Sequence, residues 1–122
     1  MIKLVWAARA ALVACAVLTA WGSFAPASAG PHLMPWDKAQ HFSAFFALTV
    51  TAITAFPRTR LSVIAVILSG CGAAIEIIQA LPFVNRDADV WDWFADTVAI
   101  AAVIGVIVAA RIRRGAAGGA DR

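Results

Sequence analysis

The chain has 122 residues, of which 62% are hydrophobic and 14% are charged, and its mean hydropathy is +0.83. A soluble domain would carry about a quarter charged residues, so this composition indicates an integral membrane protein with one domain. The net charge of +3 arises from basic residues at the ends of apolar runs, which excludes a basic patch for nucleic acid. The two cysteines lie inside apolar runs and are expected to be packing residues rather than a disulfide framework.

The first predicted element is an apolar helix within residues 1–30. The uncharged run after Arg9 approaches the roughly 20 residues of a membrane span, provided that Arg9 extends back to the inner interface. The same segment fits a secretory signal peptide, because a basic start and an apolar core precede the small-residue pattern Ala27-Ser28-Ala29. We expect this segment to be retained as a first transmembrane helix. Both alternatives place the residues that follow the segment on the outer side of the membrane.

Three further apolar runs predict three more helices, at about residues 37–56, 61–81 and 90–114. The fold class is therefore an all-α membrane protein with four transmembrane helices and both ends inside. Residues 36–110 form the predicted membrane domain. Residues 111–122 are expected to be a disordered cytoplasmic tail, because this segment is small and polar.

The distribution of basic residues predicts the orientation of these helices. With the N-terminus inside, the cytoplasmic side receives eight basic residues: Lys3, Arg9, Arg58, Arg60, Arg111, Arg113, Arg114 and Arg122. The outer side receives only Lys38 and Arg86. All acids except Asp121 fall on the outer side. The polar residues within the apolar helices therefore gather at one membrane face.

The loop before the fourth helix and the centre of the third helix carry two further signals. Asp89 is expected to cap the fourth helix and, together with Asp87, to be solvated. Trp91 and Trp93 are expected in an interfacial aromatic belt. The small residues of segment 69–74 predict close approach of helix backbones in lipid.

Polar and ionisable residues inside apolar helices are costly and mark the candidate site. The candidates are Asp37, His41, Glu76, Gln79, Arg86, Asp92 and Asp96. Six of them form three pairs at i, i+3 or i, i+4 spacing, so each pair shares a helix face. Asp37 is also a possible helix cap, and it could orient His41. We expect the group to assemble as one site at the outer face, since each member needs a partner there.

Several chemistries fit this set of residues. Arg86 could neutralise a nearby carboxylate or bind an anionic phosphate through two hydrogen bonds. Close carboxylates couple their titrations, which suits acid–base chemistry, a divalent cation site or a structural charge network. The catalytic candidates are His41, Glu76 and Asp92. The sequence contains no metal-spacing motif, so neither a metal nor a cofactor is predicted.

The order and spacing of these residues resemble the VanZ-like family. Segment 37–48 reads D-K-x-x-H-F-x-x-F-x-x-L, which is similar to the opening signature of that family. The second half resembles its E-x-x-Q…R…D-x-x-x-N signature, carried by Glu76, Gln79, Arg86, Asp92 and Asp96. The chain departs from the family at Asp96, where Asn is usual, and at Ala99, where Gly is usual.

The resemblance covers about residues 36–110 and implies a small multi-pass protein of the bacterial inner membrane. It implies that Asp37, His41, Glu76, Gln79, Arg86 and Asp92 belong to one site. The family's namesake is associated with low-level resistance to the glycopeptide teicoplanin, so a link to glycopeptide tolerance is one expectation. The resemblance names no reaction.

The leading functional hypothesis is a cell-envelope binding protein that recognises an anionic, lipid-linked cell-wall component. Arg86 would contact the phosphate of the ligand. His41 and Glu76 would form the floor of the binding site, and Asp92 and Asp96 would determine its charge. Membrane lipids are the only other predicted partners. Three alternatives stay open: a membrane-embedded enzyme that uses His41 as acid or base, a small transporter, and a polar network that only holds helices together.

Overall fold

The computed structural model describes residues 1–25, 37–84 and 86–120, and it describes the side chains of these residues except at Asp37 and 118–120. The described residues form four α-helices: α1 (Ile2–Phe24), α2 (Asp37–Ala55), α3 (Leu61–Gln79) and α4 (Val90–Ala120). The all-α architecture predicted from the apolar runs is therefore confirmed.

Most helix bounds match the prediction because prolines and polar turns interrupt the apolar runs. Helix α2 ends at Ala55, two residues before Pro57, and α3 ends at Gln79, before Pro82. Helix α4 begins immediately after Asp89, whose Oδ1 accepts a hydrogen bond of 3.0 Å from the backbone N–H of Trp91. This contact is the predicted helix cap.

The far end of α4 differs from the prediction. The helix continues to Ala120 instead of ending at Arg111–Arg114, so residues 111–120 are helical where a disordered tail was expected. Residues 111–117 are exposed. Arginine and alanine are strong helix formers and favour this extension, whereas the three glycines of segment 111–120 oppose it.

Three of the described helices are long and apolar enough to cross a membrane, namely α1, α3 and residues 90–117 of α4. Helix α2 is less apolar, because Lys38, Gln40 and His41 occupy its first turns. It is nevertheless the central helix, since it packs along both α1 and α4 while α1 and α3 barely touch. Protein neighbours therefore enclose much of α2.

The core lies between α2, α3 and α4, with α1 against its side. Its buried members are Phe45, Leu48, Ala52, Ile64, Leu68, Ala99 and Ile100. Many large apolar side chains instead point outward, including Trp6, Val66 and Val106. An outward apolar surface is what a hydrocarbon environment favours.

Side-chain contacts show that neighbouring helices run antiparallel. Arg9 Nε donates to the carbonyl of Ala55, the last residue of α2, over 3.4 Å. Its guanidinium also lies over the rings of Trp6 and Phe56, with distances of 4.9 and 5.4 Å to the ring centroids. The end of α1, the start of α2, the end of α3 and the start of α4 therefore meet at the opposite end, where the candidate residues lie.

Candidate functional site

His41 of α2 lies between two carboxylates of α4. Its Nδ1 is 3.2 Å from Asp96 Oδ1, and its Nε2 is 3.8 Å from Asp92 Oδ2. Asp92 and Asp96 lie one turn apart on the same face of α4, and their exposed fractions are only 3% and 0%. One imidazole thus joins α2 to α4 and faces an acid on each side.

Lys38 adds a positive charge to the site, although it was not among the predicted site residues. Its Nζ donates to Asp92 Oδ1 over 3.2 Å and also to Asp89 Oδ2. Lys38 lies one turn before His41 and therefore shares its helix face. This i, i+3 spacing was the available signal, but Lys38 was counted only among the basic residues that predict the orientation of the helices.

Glu76 connects the end of α3 to the start of α4. Its Oε2 accepts a hydrogen bond of 2.8 Å from the backbone N–H of Asp89. Its other oxygen, Oε1, is buried and has no hydrogen-bond partner among the described residues. Asp89 therefore joins the site through both its backbone and its side chain. Its side chain is also 40% exposed, so the predicted loop acid is partly solvated and has contacts that were not predicted.

The protonation state of Asp89 follows from these contacts. The Lys38 ammonium, followed by the Trp91 amide, holds the pKa of the Asp89 carboxyl below its usual value. Both hydrogen bonds favour the charged form of the acid. The carboxylate therefore stays ionised at neutral pH, and protonation in acid would weaken both its ion pair and its capping contact.

Asp96 is buried against the backbone of α3. A Cβ atom at Gly72 would lie 2.7 Å from Asp96 Oδ2, so only glycine leaves room for the carboxylate. Asp96 Oδ2 has no hydrogen-bond partner among the described residues. The predicted close approach in segment 69–74 is thus confirmed at Gly72, whereas a Cβ at Gly70 would meet nothing within 4 Å.

A second polar contact between α3 and α4 lies beside Asp96. The indole Nε1 of Trp93 donates to both the carbonyl and the hydroxyl of Ser69, each over 3.1 Å. The Ser69 hydroxyl is also 3.1 Å from that of Thr97. Trp93 therefore reaches into the helix interface rather than marking the membrane surface alone. The sequence pattern contained no signal for this pairing.

Arg86 and Gln79 have partners at the end of α1 rather than among the acids. Arg86 donates to the carbonyls of Gly22 and Ser23 over 2.7 and 3.2 Å, and Gln79 donates to the carbonyl of Ser23 over 2.9 Å. The last carbonyls of a helix have no partners within the helix, and basic side chains near that end are favourable. Arg86 was expected to neutralise a carboxylate or to bind a phosphate, and its described hydrogen bonds instead go to the end of α1.

The structure thus brings together four of the seven predicted site residues. His41, Glu76, Asp92 and Asp96 join Lys38 and Asp89 in one group, which we call the polar cluster. Gln79 and Arg86 border it, and the side chain of Asp37 lies outside the described part of the chain.

An apolar groove between α2 and α4 adjoins the polar cluster. Its volume is about 390 Å³. It is lined by Lys38, Ala39, Phe42, Ser43, Trp91, Phe94, Ala95 and Val98. Lys38 belongs to both the groove and the polar cluster, so the apolar groove and the polar cluster meet at this residue.

The charge balance of the polar cluster favours cations. Its carboxylates belong to Glu76, Asp89, Asp92 and Asp96, and Lys38 is its only permanently positive group. One ligating atom from each of His41, Glu76 and Asp92 lies within 4.8 Å of the other two. The arrangement can therefore exchange protons through the imidazole or hold a metal ion.

Comparison with known proteins adds no relative for this chain. No family model, no curated protein and no solved structure matches it. The VanZ-like resemblance remains a prediction that rests on segment 37–48 and on the residues that follow from Glu76 to Asp96.

Proposed function

We propose that this chain is an integral membrane protein of the bacterial cell envelope that binds an anionic, lipid-linked ligand at the outer membrane face. The observation that carries the proposal is the junction of the apolar α2–α4 groove with the polar cluster at Lys38. The groove volume falls within the range of about 300–1,000 Å³ typical of ligand pockets. A lipid-linked molecule needs an apolar channel that leads to a polar end.

The proposal includes four membrane spans with both ends inside the cell. The enclosed position of α2 supports a fourth span, because a helix surrounded by protein tolerates more polar residues than one surrounded by lipid. Orientation is supported by the basic residues at the opposite end from the polar cluster. The membrane is then the bacterial inner membrane, and the cluster faces outward.

Lys38 takes the phosphate-binding role that was first expected of Arg86. Arg86 donates to the carbonyls of Gly22 and Ser23, whereas Lys38 borders the groove. A phosphate in the groove would compete with Asp89 for the Lys38 ammonium. The phosphate would then lie on the groove side of Lys38, while the chain of the ligand lies along α2 and α4.

The VanZ-like resemblance supports an envelope role and adds a physiological expectation. A strain that depends on this protein for glycopeptide tolerance should become more sensitive to teicoplanin when Lys38 is replaced. Unchanged protein abundance in the same strain would separate loss of binding from loss of the fold.

Binding can be tested with the full chain in nanodiscs and two fluorescent probes, a polyprenyl phosphate and the matching polyprenol. We expect the phosphate to bind more tightly. Lys38→Gln should weaken phosphate binding by about 10–100-fold, because hydrogen bonds to charged groups contribute about 1.5–3 kcal/mol. The matched control is Lys3→Gln, which removes an exposed lysine at the opposite end of the bundle.

A third variant tests the groove itself. Ala95→Leu places a larger side chain in the groove and should weaken binding of both probes, whereas Lys38→Gln should affect only the phosphate. The proposal is wrong if the wild-type protein binds the two probes equally, or if neither substitution changes binding.

The position of His41 favours a second candidate, an enzyme that acts on the same kind of ligand. The imidazole faces Asp96 on one side and Asp92 on the other, an arrangement that can orient a general acid or base. This candidate requires turnover of a lipid-linked phosphate by purified protein, and His41→Ala should abolish that turnover without preventing probe binding.

A further inference from the structure

We propose that His41, Glu76 and Asp92 bind one divalent transition-metal ion of the Zn²⁺ or Mn²⁺ class. One ligating atom from each residue lies within 4.8 Å of the other two. Ligands held about 2.0–2.2 Å from an ion are at most about 4.4 Å apart, so small side-chain rotations complete the site. The site goes beyond the proposed lipid ligand and does not depend on it.

Three helices position the three ligands. His41 comes from α2, Glu76 from the last turn of α3 and Asp92 from the first turn of α4. Such a set has no short sequence spacing, which is why no metal motif is visible in the chain. Packing of α4 against α2 and α3 creates the site, so its geometry belongs to the fold rather than to one segment.

Asp96 provides the support that a metal-binding histidine typically has. Such a histidine almost always bonds a carboxylate, carbonyl or water through its other ring nitrogen, which fixes the ring orientation. His41 Nδ1 is 3.2 Å from Asp96 Oδ1, and Asp96 is completely buried. This contact directs Nε2 towards Asp92, whose Oδ2 is 3.8 Å away.

An independent observation is the unsatisfied oxygen of Glu76. Oε2 accepts the Asp89 amide, but Oε1 is buried without a hydrogen-bond partner among the described residues. A buried polar atom without a partner is costly, and the cost is larger for a charged group. A metal ion bound by Glu76 supplies the missing partner and offsets the excess negative charge.

The mixed nitrogen and oxygen ligand set selects the class of ion. Ca²⁺ and Mg²⁺ prefer sites made entirely of oxygen atoms. An imidazole with two carboxylates suits zinc, manganese and related transition metals.

The test measures metal content of the full chain in detergent micelles. Bound metal is removed from the protein with a chelator, and the protein is dialysed against Zn²⁺, Mn²⁺ or Mg²⁺ without lipid phosphate. Its metal content is then measured by inductively coupled plasma mass spectrometry. We expect about one Zn²⁺ or Mn²⁺ per chain and no retained Mg²⁺. Glu76→Gln and His41→Asn should abolish stoichiometric retention, while Asp96→Asn should lower the affinity by about 10–100-fold.

The matched control is Asp87→Asn, which removes an exposed acid from the adjoining loop and should retain the ion like wild type. Circular dichroism verifies that each variant is helical. If a variant fails to fold, a second measurement on the wild-type protein tests the site, namely the visible absorption spectrum after loading with Co²⁺. Visible ligand-field bands that excess Zn²⁺ abolishes would support the site, and their absence would overturn it.

The proposal is also overturned if wild type retains no stoichiometric ion, if folded Glu76→Gln retains it, or if Asp87→Asn loses it equally. Because no lipid phosphate is present, these outcomes are separate from those of the polyprenyl phosphate experiment. The protein could therefore bind metal and fail to bind lipid phosphate, or the reverse.

Discussion

At the residue scale, the polar cluster depends on one close approach between α3 and α4. Asp96 is fully buried, and its Oδ2 occupies the space that a side chain at residue 72 would need. The indole of Trp93 closes the other side, because its Cδ1 would be 3.3 Å from the same Cβ. Neither neighbour can move freely, since Asp96 bonds His41 and Trp93 bonds Ser69.

We therefore expect Gly72→Ala to destabilise the protein by about 1–3 kcal/mol, the usual cost of overpacking a well-packed site. Displacement of Asp96 should also weaken its contact with His41. The measurement is the free energy of unfolding in detergent, followed by circular dichroism.

Gly70→Ala is the matched control for this substitution. It lies on the same helix, where a Cβ meets nothing within 4 Å. Alanine is also favoured over glycine in helices by up to about 1 kcal/mol. Equal destabilisation by both substitutions would contradict the described packing of Asp96 on Gly72.

Residue identity alone predicted part of the site. His41, Glu76, Asp92 and Asp96 were identifiable because ionisable groups in apolar helices need partners. The role of Arg86 could not be identified in this way. Its partners are the carbonyls at the end of α1, which are backbone groups that no side-chain pattern reveals.

At the element scale, two arginines join helix ends that are distant in sequence. Arg86 and Gln79 bond carbonyls of Gly22 and Ser23 at the end of α1, and Arg9 bonds the carbonyl of Ala55 at the end of α2. The link between α1 and the rest of the bundle therefore includes charged hydrogen bonds as well as apolar packing.

Arg86→Ala should lower the free energy of unfolding by about 1.5–3 kcal/mol, because it removes hydrogen bonds from a charged donor. Metal content should stay at the wild-type value, since Arg86 has no contact with His41, Glu76 or Asp92 among its described hydrogen bonds. Arg58→Ala serves as the control, because Arg58 is exposed in the α2–α3 turn. A loss of ligand binding without a loss of stability would instead assign Arg86 to the ligand.

Helix bounds were the most predictable feature at this scale. Apolar runs interrupted at Pro57, at Pro82 and at Asp89 are local signals. They give the ends of α2 and α3 to within two residues and the correct start of α4. The continuation of α4 to Ala120 was missed because the segment is small and polar, although its backbone remains helical.

At the scale of the whole molecule, the two ends of the bundle differ in charge. One end carries most of the basic residues, and the other carries the polar cluster. The central position of α2 could not be read from hydropathy, because its polar first turns make it the least apolar helix. Its role emerges only from the way the other helices enclose it.

The proposed orientation predicts which loops a membrane-impermeant maleimide can label in intact cells. In a background with both native cysteines replaced by serine, Asp87→Cys should be labelled without permeabilisation. Arg58→Cys in the α2–α3 turn should react only after permeabilisation. Labelling of Arg58→Cys in intact cells, or protection of Asp87→Cys, would contradict the orientation.

The central claim is that the polar cluster binds a metal ion rather than only holding the helices together. The most direct measurement is the free energy of unfolding of wild type and Glu76→Gln, with and without Zn²⁺. At a free zinc concentration of 100 times Kd, wild type should gain about 2.7 kcal/mol. Glu76→Gln keeps an oxygen for the Asp89 amide and should fold, but it should gain nothing from zinc. No gain in wild type, or an equal gain in both proteins, would contradict the account.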